Sequence, residues 1–463
     1  MSPGLFLNPL DALLEQKLTG FGSLREKLAL ERLTKLAQSL TLAAQESPFY
    51  KKLAQKELVW AAQELRQAAQ KALSPLLAEK LIQKVLASLP QTSPADLARS
   101  PESFLTVSLS QVEGLITVPS SGSRGQSKRI FSTASDLEKI VEFFSHGMLN
   151  LLKPDLKGAR VALLLSGQRP GSVGDLLSQA LERRQVPIEV LGFLPQEPGR
   201  LSEYLKRLEL FEPSTLVGLP SQLFYLARTV PRPKSLKNLL LSGEPAPDSL
   251  IRGLERAWRA EVFVHFGMTE FGLGGAVECP AHGGPHLREA DLVFESLDRA
   301  GHQQEPTLLG EICLTSLSRQ AMPLIRYRTG DLGRLVEAPC PCASILRKLL
   351  VWGRLEDLLI PGPGWSAENP YGLGLTDLAQ SVYELEPVST FSAFLSQEPE
   401  PLLRLSLGLS GEIPENFLAQ AQKALAQLLK NRLPFVVSLE PKAAPPAPGG
   451  AKPKLGRDGL VGP

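Results

Sequence analysis

The chain has 463 residues, with 50 Lys+Arg against 48 Asp+Glu, five His and four Cys, and 43% of its residues are hydrophobic. That balance predicts a large soluble fold of about three structural units at roughly 150 residues each, or one large α/β domain with a smaller companion. A net charge of +2 excludes a dedicated nucleic-acid binder, which relies on a basic stripe to displace counterions. Met1 to Phe6 carries no basic leader region, and no stretch reaches the ~18 consecutive apolar residues of a membrane span. The cytoplasm is the expected location, with neither membrane nor nucleic acid as partner.

The first hundred residues read as helical. Ser23 and Glu26 fit a capping box, and Leu24, Leu28, Leu33, Leu36 and Leu40 continue at helical spacing until Ser47-Pro48 breaks the pattern. From about residue 159, short apolar runs alternate with amphipathic stretches. The runs are Ala159 to Leu165, Ile188 to Leu191, Thr215 to Leu219, Leu239 to Leu241 and Glu261 to Phe266. Such alternation predicts a largely parallel, helix-covered sheet. After about Gly353, Leu403, Leu405, Leu407 and Leu409 have the period of a half-buried strand. Pro414 is expected at the first position of a helix carrying Phe417, Leu418, Ala421, Leu425 and Leu428, and Leu433 to Leu439 is a further strand. This small α+β region ends in a Pro/Ala/Gly-rich segment, Pro441 to Gly450, and the basic residues Lys452, Lys454 and Arg457.

One loop stands out chemically: Ser120-Ser121-Gly122-Ser123-Arg124-Gly125-Gln126-Ser127-Lys128. Small residues let backbone N–H groups approach phosphate oxygens, and Arg124 and Lys128 add charge-assisted bonds. It lacks the Gly-x4-Gly-Lys-Ser/Thr pattern of the P-loop enzymes. Downstream come Leu241-Ser242-Gly243-Glu244-Pro245, Phe266-Gly267-Met268-Thr269-Glu270, Arg326-Tyr327-Arg328-Thr329-Gly330-Asp331 and Gly353-Arg354-Leu355-Glu356-Asp357. Each has an ordinary reading alone, since a Phe ending a strand is usually core and Thr-Gly-Asp is a common turn.

Together and in this order, the motifs resemble the adenylate-forming enzymes, and most closely the phenylacetate–CoA ligase family. The resemblance extends to Ser47-Pro48-Phe49-Tyr50 and Leu89-Pro90-Gln91-Thr92, and covers roughly residues 45 to 360. It implies a large α/β N-terminal domain, 1–353, with a helical part to about 105, and a small mobile α+β C-terminal domain, 354–463, whose flexible tail starts at about 441. It also implies ATP-dependent activation of a carboxylic acid as acyl-adenylate, release of pyrophosphate and transfer to coenzyme A. A homodimer is among the assemblies it allows.

In that resemblance, Ser120, Ser121, Gly122, Ser123, Arg124, Gly125 and Lys128 close over the β- and γ-phosphates of ATP. Glu270 is a Mg²⁺ ligand, a hard cation preferring carboxylate oxygen. Thr269 donates to the α-phosphate, Phe266 and Gly267 face adenine, Gly243, Glu244 and Pro245 border it, and Asp331 accepts from the ribose hydroxyls. Arg354 lies in the hinge, and Lys452, with Lys454 as the alternative, is the catalytic lysine of the C-terminal domain.

Cys279, His282, His286, Cys340 and Cys342 supply three thiols and two imidazoles, enough for one tetrahedral Zn²⁺ site. The family pattern favours Cys279, His286, Cys340 and Cys342 as a structural Zn²⁺ site, with His282 the alternative to His286. Cys313, inside a strand-like segment, is expected to be a plain buried thiol.

The sequence departs from the family at several points. Arg124 stands where a threonine is usual, Ser127 where a proline is usual, and Ser166 to Ser172 replaces a Tyr/Phe-bearing stretch that lines the aryl pocket. An aromatic acid is therefore not implied. Two further readings share the same motifs: an enzyme that adenylates without using coenzyme A, and a nucleotide-binding protein on a decayed ligase scaffold.

Overall fold

Ser23 opens the long helix Leu24–Glu46 as its spacing to Glu26 predicts: the hydroxyl accepts the Glu26 N–H, and the Glu26 carboxylate accepts the Ser23 N–H. Ser47 ends that helix and caps the next, Pro48–Ala69, with Pro48 in the first turn, where its missing N–H costs nothing. Leu28, Leu33, Leu36 and Leu40 are buried, packed in one core with Tyr50, Leu58 and Leu65. Each such side chain contributes about 1.5–3 kcal/mol by leaving water. The computed structural model describes residues 8–20, 22–71, 73–119, 127–152, 156–167, 169–361, 370–396, 401–430 and 433–440.

Contacts gather the chain into two compact units. The first comprises Met1–Pro154, Gln168–Gln185 and His265–Val351; the second comprises Asp155–Gly167, Val186–Val264 and Trp352–Pro463.

In the first unit, the N-terminal helices share a core with a sheet whose neighbouring strands run Gln303–Gln304, Leu292–Leu297, Gly310–Ser316, Tyr327–Val336, Lys348–Arg354 as far as Val351, His286–Leu287 and Ala276–Val277. Two stretches far apart in sequence converge on the strand Tyr327–Val336. Thr92 bridges Tyr327, its N–H donating to the Arg326 carbonyl at 2.9 Å, and the Tyr50 hydroxyl accepts the Ile325 N–H at 2.8 Å. Phe49 stacks on Phe104, with ring centroids 4.0 Å apart. Arg326, in a left-handed conformation at φ 47°, is ion-paired with the fully buried Glu295 and donates to the Leu89 carbonyl. A separate hairpin pairs Gly114–Pro119 with Ser127–Ser132, and the loop Ser120–Gln126 between them lies outside the described residues.

In the second unit, the strands expected from the apolar runs form a parallel array in the order Ile188–Val190, Val161–Leu164, Thr215–Gly218, Asn238–Leu241 and Glu261–Phe266. The carboxyl ends of such strands are where open α/β sheets place ligands. The C-terminal region is α+β as expected: Val388–Ser396 runs antiparallel to Leu402–Leu409, which pairs in parallel with Phe435–Glu440. Leu403, Leu405, Leu407 and Leu409 are all buried. One expectation needs correction. Pro414 is not the first helical residue; its carbonyl accepts the Phe417 N–H at 3.0 Å, closing a turn, and the helix Phe417–Leu429 follows with Asn416 at its N-cap. Phe417 is buried, so burial of that ring sets where the helix starts. The tail from 441 onward, including Lys452 and Lys454, lies outside the described residues.

Candidate nucleotide and metal sites

The hairpin that brackets the Ser/Gly loop delivers Lys128 to a buried carboxylate. Lys128 ion-pairs with Glu270 Oε1, and the Tyr327 hydroxyl donates to the same oxygen at 3.1 Å. Glu270 sits in the short 3-10 turn Thr269–Phe271 and is 5% exposed. Burial pushes its carboxyl up, but the charge and hydrogen bond of Lys128, with the Tyr327 hydroxyl, overcome this and hold it below the usual carboxylate value. Tyr327 was not singled out by the sequence, although it lies inside a quoted motif. The ring is fully buried, edge-on to Phe271 at 5.8 Å.

Gly267 makes this turn sterically feasible. A Cβ at that position would lie 1.7 Å from the Leu273 carbonyl oxygen, because the chain doubles back there, with the Leu273 N–H donating to the Met268 carbonyl at 2.7 Å. Phe266, at the end of its strand, is half-buried and packs against the first unit's core. Asp331 lies in a strand rather than a turn: Gly330 takes φ +75°, Thr329 Oγ1 accepts the Asp331 N–H at 3.0 Å, and the Asp331 side chain is largely buried.

The second unit holds the remaining motif residues. Gly243, at φ +87°, turns the chain after Asn238–Leu241, and Glu244 Oε2 accepts the N–H of Ser221 at 3.1 Å, in the first turn of the helix Pro220–Thr229. A carboxylate there complements the helix dipole. Glu244, Pro245, Arg354 and Tyr383 line one cleft of about 510 Å³. Arg354 ends its strand, pairs with Glu356 at 3.0 Å, and is followed by the 3-10 turn Leu355–Asp357. Thus Lys128, Thr269 and Glu270 are brought together in one unit, and Glu244, Pro245 and Arg354 in the other. Ser120, Ser121, Gly122, Ser123, Arg124, Gly125 and Lys452 lie outside the described residues.

Cys279, His286, Cys340 and Cys342 present their ligand atoms within 4.8 Å of one another. Cys279 Sγ lies 3.6 Å from Cys340 Sγ, and Cys342 Sγ lies 3.3 Å from His286 Nε2. Tetrahedral Zn²⁺ with bonds of about 2.3 Å to sulfur would set its sulfurs roughly 3.7 Å apart, so the spacing fits a metal and is far too long for a disulfide. The Leu346 carbonyl, 2.9 Å from His286 Nδ1, fixes the ring with Nε2 toward Cys342. Hydrogen bonds from Cys279 and then His286 bring the Cys342 thiol down to about 3. His282 is exposed at φ +49° and stands outside the cluster. Cys313 is buried in Gly310–Ser316, apart from it.

Nothing in the local pattern of the N-terminal helix predicts that it reaches this cluster. Asn8 caps the helix Pro9–Lys17 through Leu10 N–H, and its side-chain amide lies 3.6 Å from Cys342 Sγ. The buried Asp11 accepts from Ser344 Oγ at 2.7 Å and Ile345 N–H at 2.9 Å.

No family model matches the chain. It is 32% identical over 176 residues to a phenylacetate-coenzyme A ligase of Pseudomonas putida, a stretch of 36% of this chain and 40% of that protein. It is 26% identical over 271 residues to the Thermus thermophilus phenylacetate-coenzyme A ligase, 53% of this chain and 58% of that one. The matched stretches therefore span about half the length of these relatives. Among solved structures, a 2-hydroxyisobutyryl-CoA ligase in the postadenylation state, in complex with 2-HIB-AMP, superposes with a TM-score of 0.73 at 18% identity, over 93% of this chain and 89% of the other. Sequence similarity over part of the chain and structural similarity over nearly all of it agree with the ordered motifs: the chain is similar over part of its length to the phenylacetate-coenzyme A ligases and shares the fold of the 2-hydroxyisobutyryl-CoA ligase.

Proposed function

We propose that the chain is an ATP-dependent, AMP-forming acid–CoA ligase. In the first half-reaction, a carboxylate oxygen attacks the α-phosphorus of ATP, the bond to the β-phosphate breaks, and pyrophosphate leaves. In the second, the coenzyme A thiol attacks the acyl carbon and AMP leaves. The observation that carries this reading is the buried Lys128–Glu270 pair capped by Tyr327, next to Thr269. Lys128, at the edge of a Ser/Gly loop, is a cation suited to phosphate oxygens, and Glu270 beside it offers the carboxylate oxygen that Mg²⁺ prefers.

The remaining roles follow from the motifs. Ser120 to Gly125 enclose the β- and γ-phosphates, Thr269 donates to the α-phosphate, Phe266 with Gly243 to Pro245 borders adenine, and Asp331 takes the ribose. The C-terminal domain, 354–463, swings about Gly353-Arg354 to bring Lys452 to the reacting oxygens for adenylation. Cys279, His286, Cys340 and Cys342 would hold Zn²⁺ in a structural role, since four protein ligands would leave no position open for chemistry. The near-neutral surface fits small-molecule partners in the cytoplasm, and a homodimer is compatible with the same scheme.

Exchange of labelled pyrophosphate into ATP, driven by a panel of aliphatic and aromatic carboxylic acids, tests the reading. At least one acid should drive exchange, and coenzyme A should then convert it to the thioester. ATP binding with no exchange from any acid would refute it.

A further inference from the structure

Behind the turn Thr269–Phe271 lies a second cleft that the proposed reaction leaves unused. It holds about 330 Å³ of space, part of it open to solvent, and belongs wholly to the first unit. Ile140, Phe271 and Gly272 form its floor. Gly272 has φ +77°, and a Cβ there would lie 2.8 Å from Ile140 Cδ1 and 3.4 Å from Arg319 Nη1, so a bare backbone keeps the space open. The polar wall sets Lys139, Arg288 and Arg319 against Asp136 and Asp291.

Those carboxylates are already committed. Asp136 accepts the backbone N–H groups of Thr133, Gln320 and Ala321 at 3.1, 2.8 and 2.9 Å. Asp291 accepts from Arg288 Nε at 2.6 Å and lies 3.7 Å from Lys35 Nζ. Burial pushes its carboxyl up, but Arg288 and Lys35 hold it well below the usual range. The cations are less well matched. Arg319, 9% exposed, gives Nη2 to the Phe131 carbonyl and Ser132 Oγ, while no described residue accepts from its buried Nε. Lys139 is half-buried and spends one N–H on the Ser318 carbonyl at 2.7 Å. Among the described residues, neither Lys139 nor Arg319 forms an ion pair.

A buried guanidinium N–H without an acceptor is costly, and a planar donor beside an ammonium is suited to an oxyanion. We propose that this cleft binds a small oxyanion, the carboxylate or phosphate group of a ligand, through Arg319 Nε, Lys139 Nζ and Arg288. The site stands whether or not the chain makes acyl-CoA.

Isothermal titration calorimetry on the full chain reads it directly. Sodium phosphate and sodium acetate are titrated separately against sodium chloride at matched ionic strength, with saturating AMP and neither ATP nor Mg²⁺ present, so that the proposed adenylation contributes no heat. Saturable binding of either anion with a Kd on the order of 1 mM is expected, and the tighter of the two names the ligand group. Lys139→Met should weaken it about tenfold, the loss of one charge-assisted contact, and Arg319→Gln should abolish it. Because Arg319 also ties down Phe131 and Ser132, Lys139→Met decides the matter if Arg319→Gln fails to fold. No saturable heat from either anion, or unchanged affinity in Lys139→Met, overturns the site.

Discussion

Replacing Lys128 by Met would strand Glu270 as a buried carboxylate without its cation. The two groups are in direct contact, and at about 3 Å with an effective dielectric of ~20 they attract by roughly 5 kcal/mol. Removing one partner of such a buried pair costs about 3–5 kcal/mol, with the Tyr327 hydroxyl retaining part of the stabilisation. In a unit of this size that corresponds to a fall in Tm of about 6–20 °C. The pH dependence has a definite sign. Glu270 is held below its unfolded value in the native chain, so the pair stabilises fully above about pH 4.3 and its contribution fades as the pH falls through the lower folded value. The deficit of Lys128→Met should therefore be largest near neutrality and shrink on acidification. Adding Glu270→Gln should restore most of the loss, because a neutral pair carries no stranded charge. Thermal melting of the wild type, both single variants and the double variant at pH 7.5 and pH 4 completes the cycle. A Lys128→Met variant melting within about 1 °C of wild type at pH 7.5, or a deficit that widens on acidification, would refute this reasoning.

Metal analysis of chain purified without chelator should find about one zinc per chain, and Cys340→Ser with Cys342→Ser should lose both the metal and several degrees of Tm; metal-free protein of unchanged Tm would count against the centre. Gly267→Ala should fail to accumulate as folded protein, given a contact of 1.7 Å to backbone. Gly199→Ala, in a helix first turn with nothing within 4 Å, should melt at or slightly above wild type, and circular dichroism distinguishes the two. Lys452→Ala should abolish pyrophosphate exchange yet still convert a supplied acyl-adenylate to thioester; equal loss of both half-reactions would remove Lys452 from its assigned role.

Local features were legible because their causes are local. The Ser23–Glu26 capping box, the alternating leucines from Leu403 and the five apolar runs of the parallel array each depend on residues a few positions apart. Pro414 shows the limit: proline at a helix start is a preference, and burial of Phe417 moved the start three residues on. Long-range pairings left no trace in periodicity. Tyr327 meets Glu270 across 57 positions, and nothing in either neighbourhood marks the hydroxyl as a partner. Arg326, quoted only within its motif, pairs with the buried Glu295 31 positions away, a partner no local pattern marks. The Cys/His cluster was legible because its residue types are rare in this chain, whereas Asn8 and Asp11 beside it are common cap residues with ordinary helical explanations.

The Asp11 contacts impose an order of assembly. Its acceptor oxygens are satisfied by Ser344 and Ile345, more than 330 positions downstream. At a synthesis rate of about 5–20 residues per second, the N-terminal helix leaves the ribosome roughly 20–70 s before its partners exist. During that interval the helix Pro9–Lys17 can already meet the helix Ala134–Gly147, where Lys17 pairs with Glu142, but the buried Asp11 gains its acceptor contacts only as the loop bearing Cys340 and Cys342 arrives.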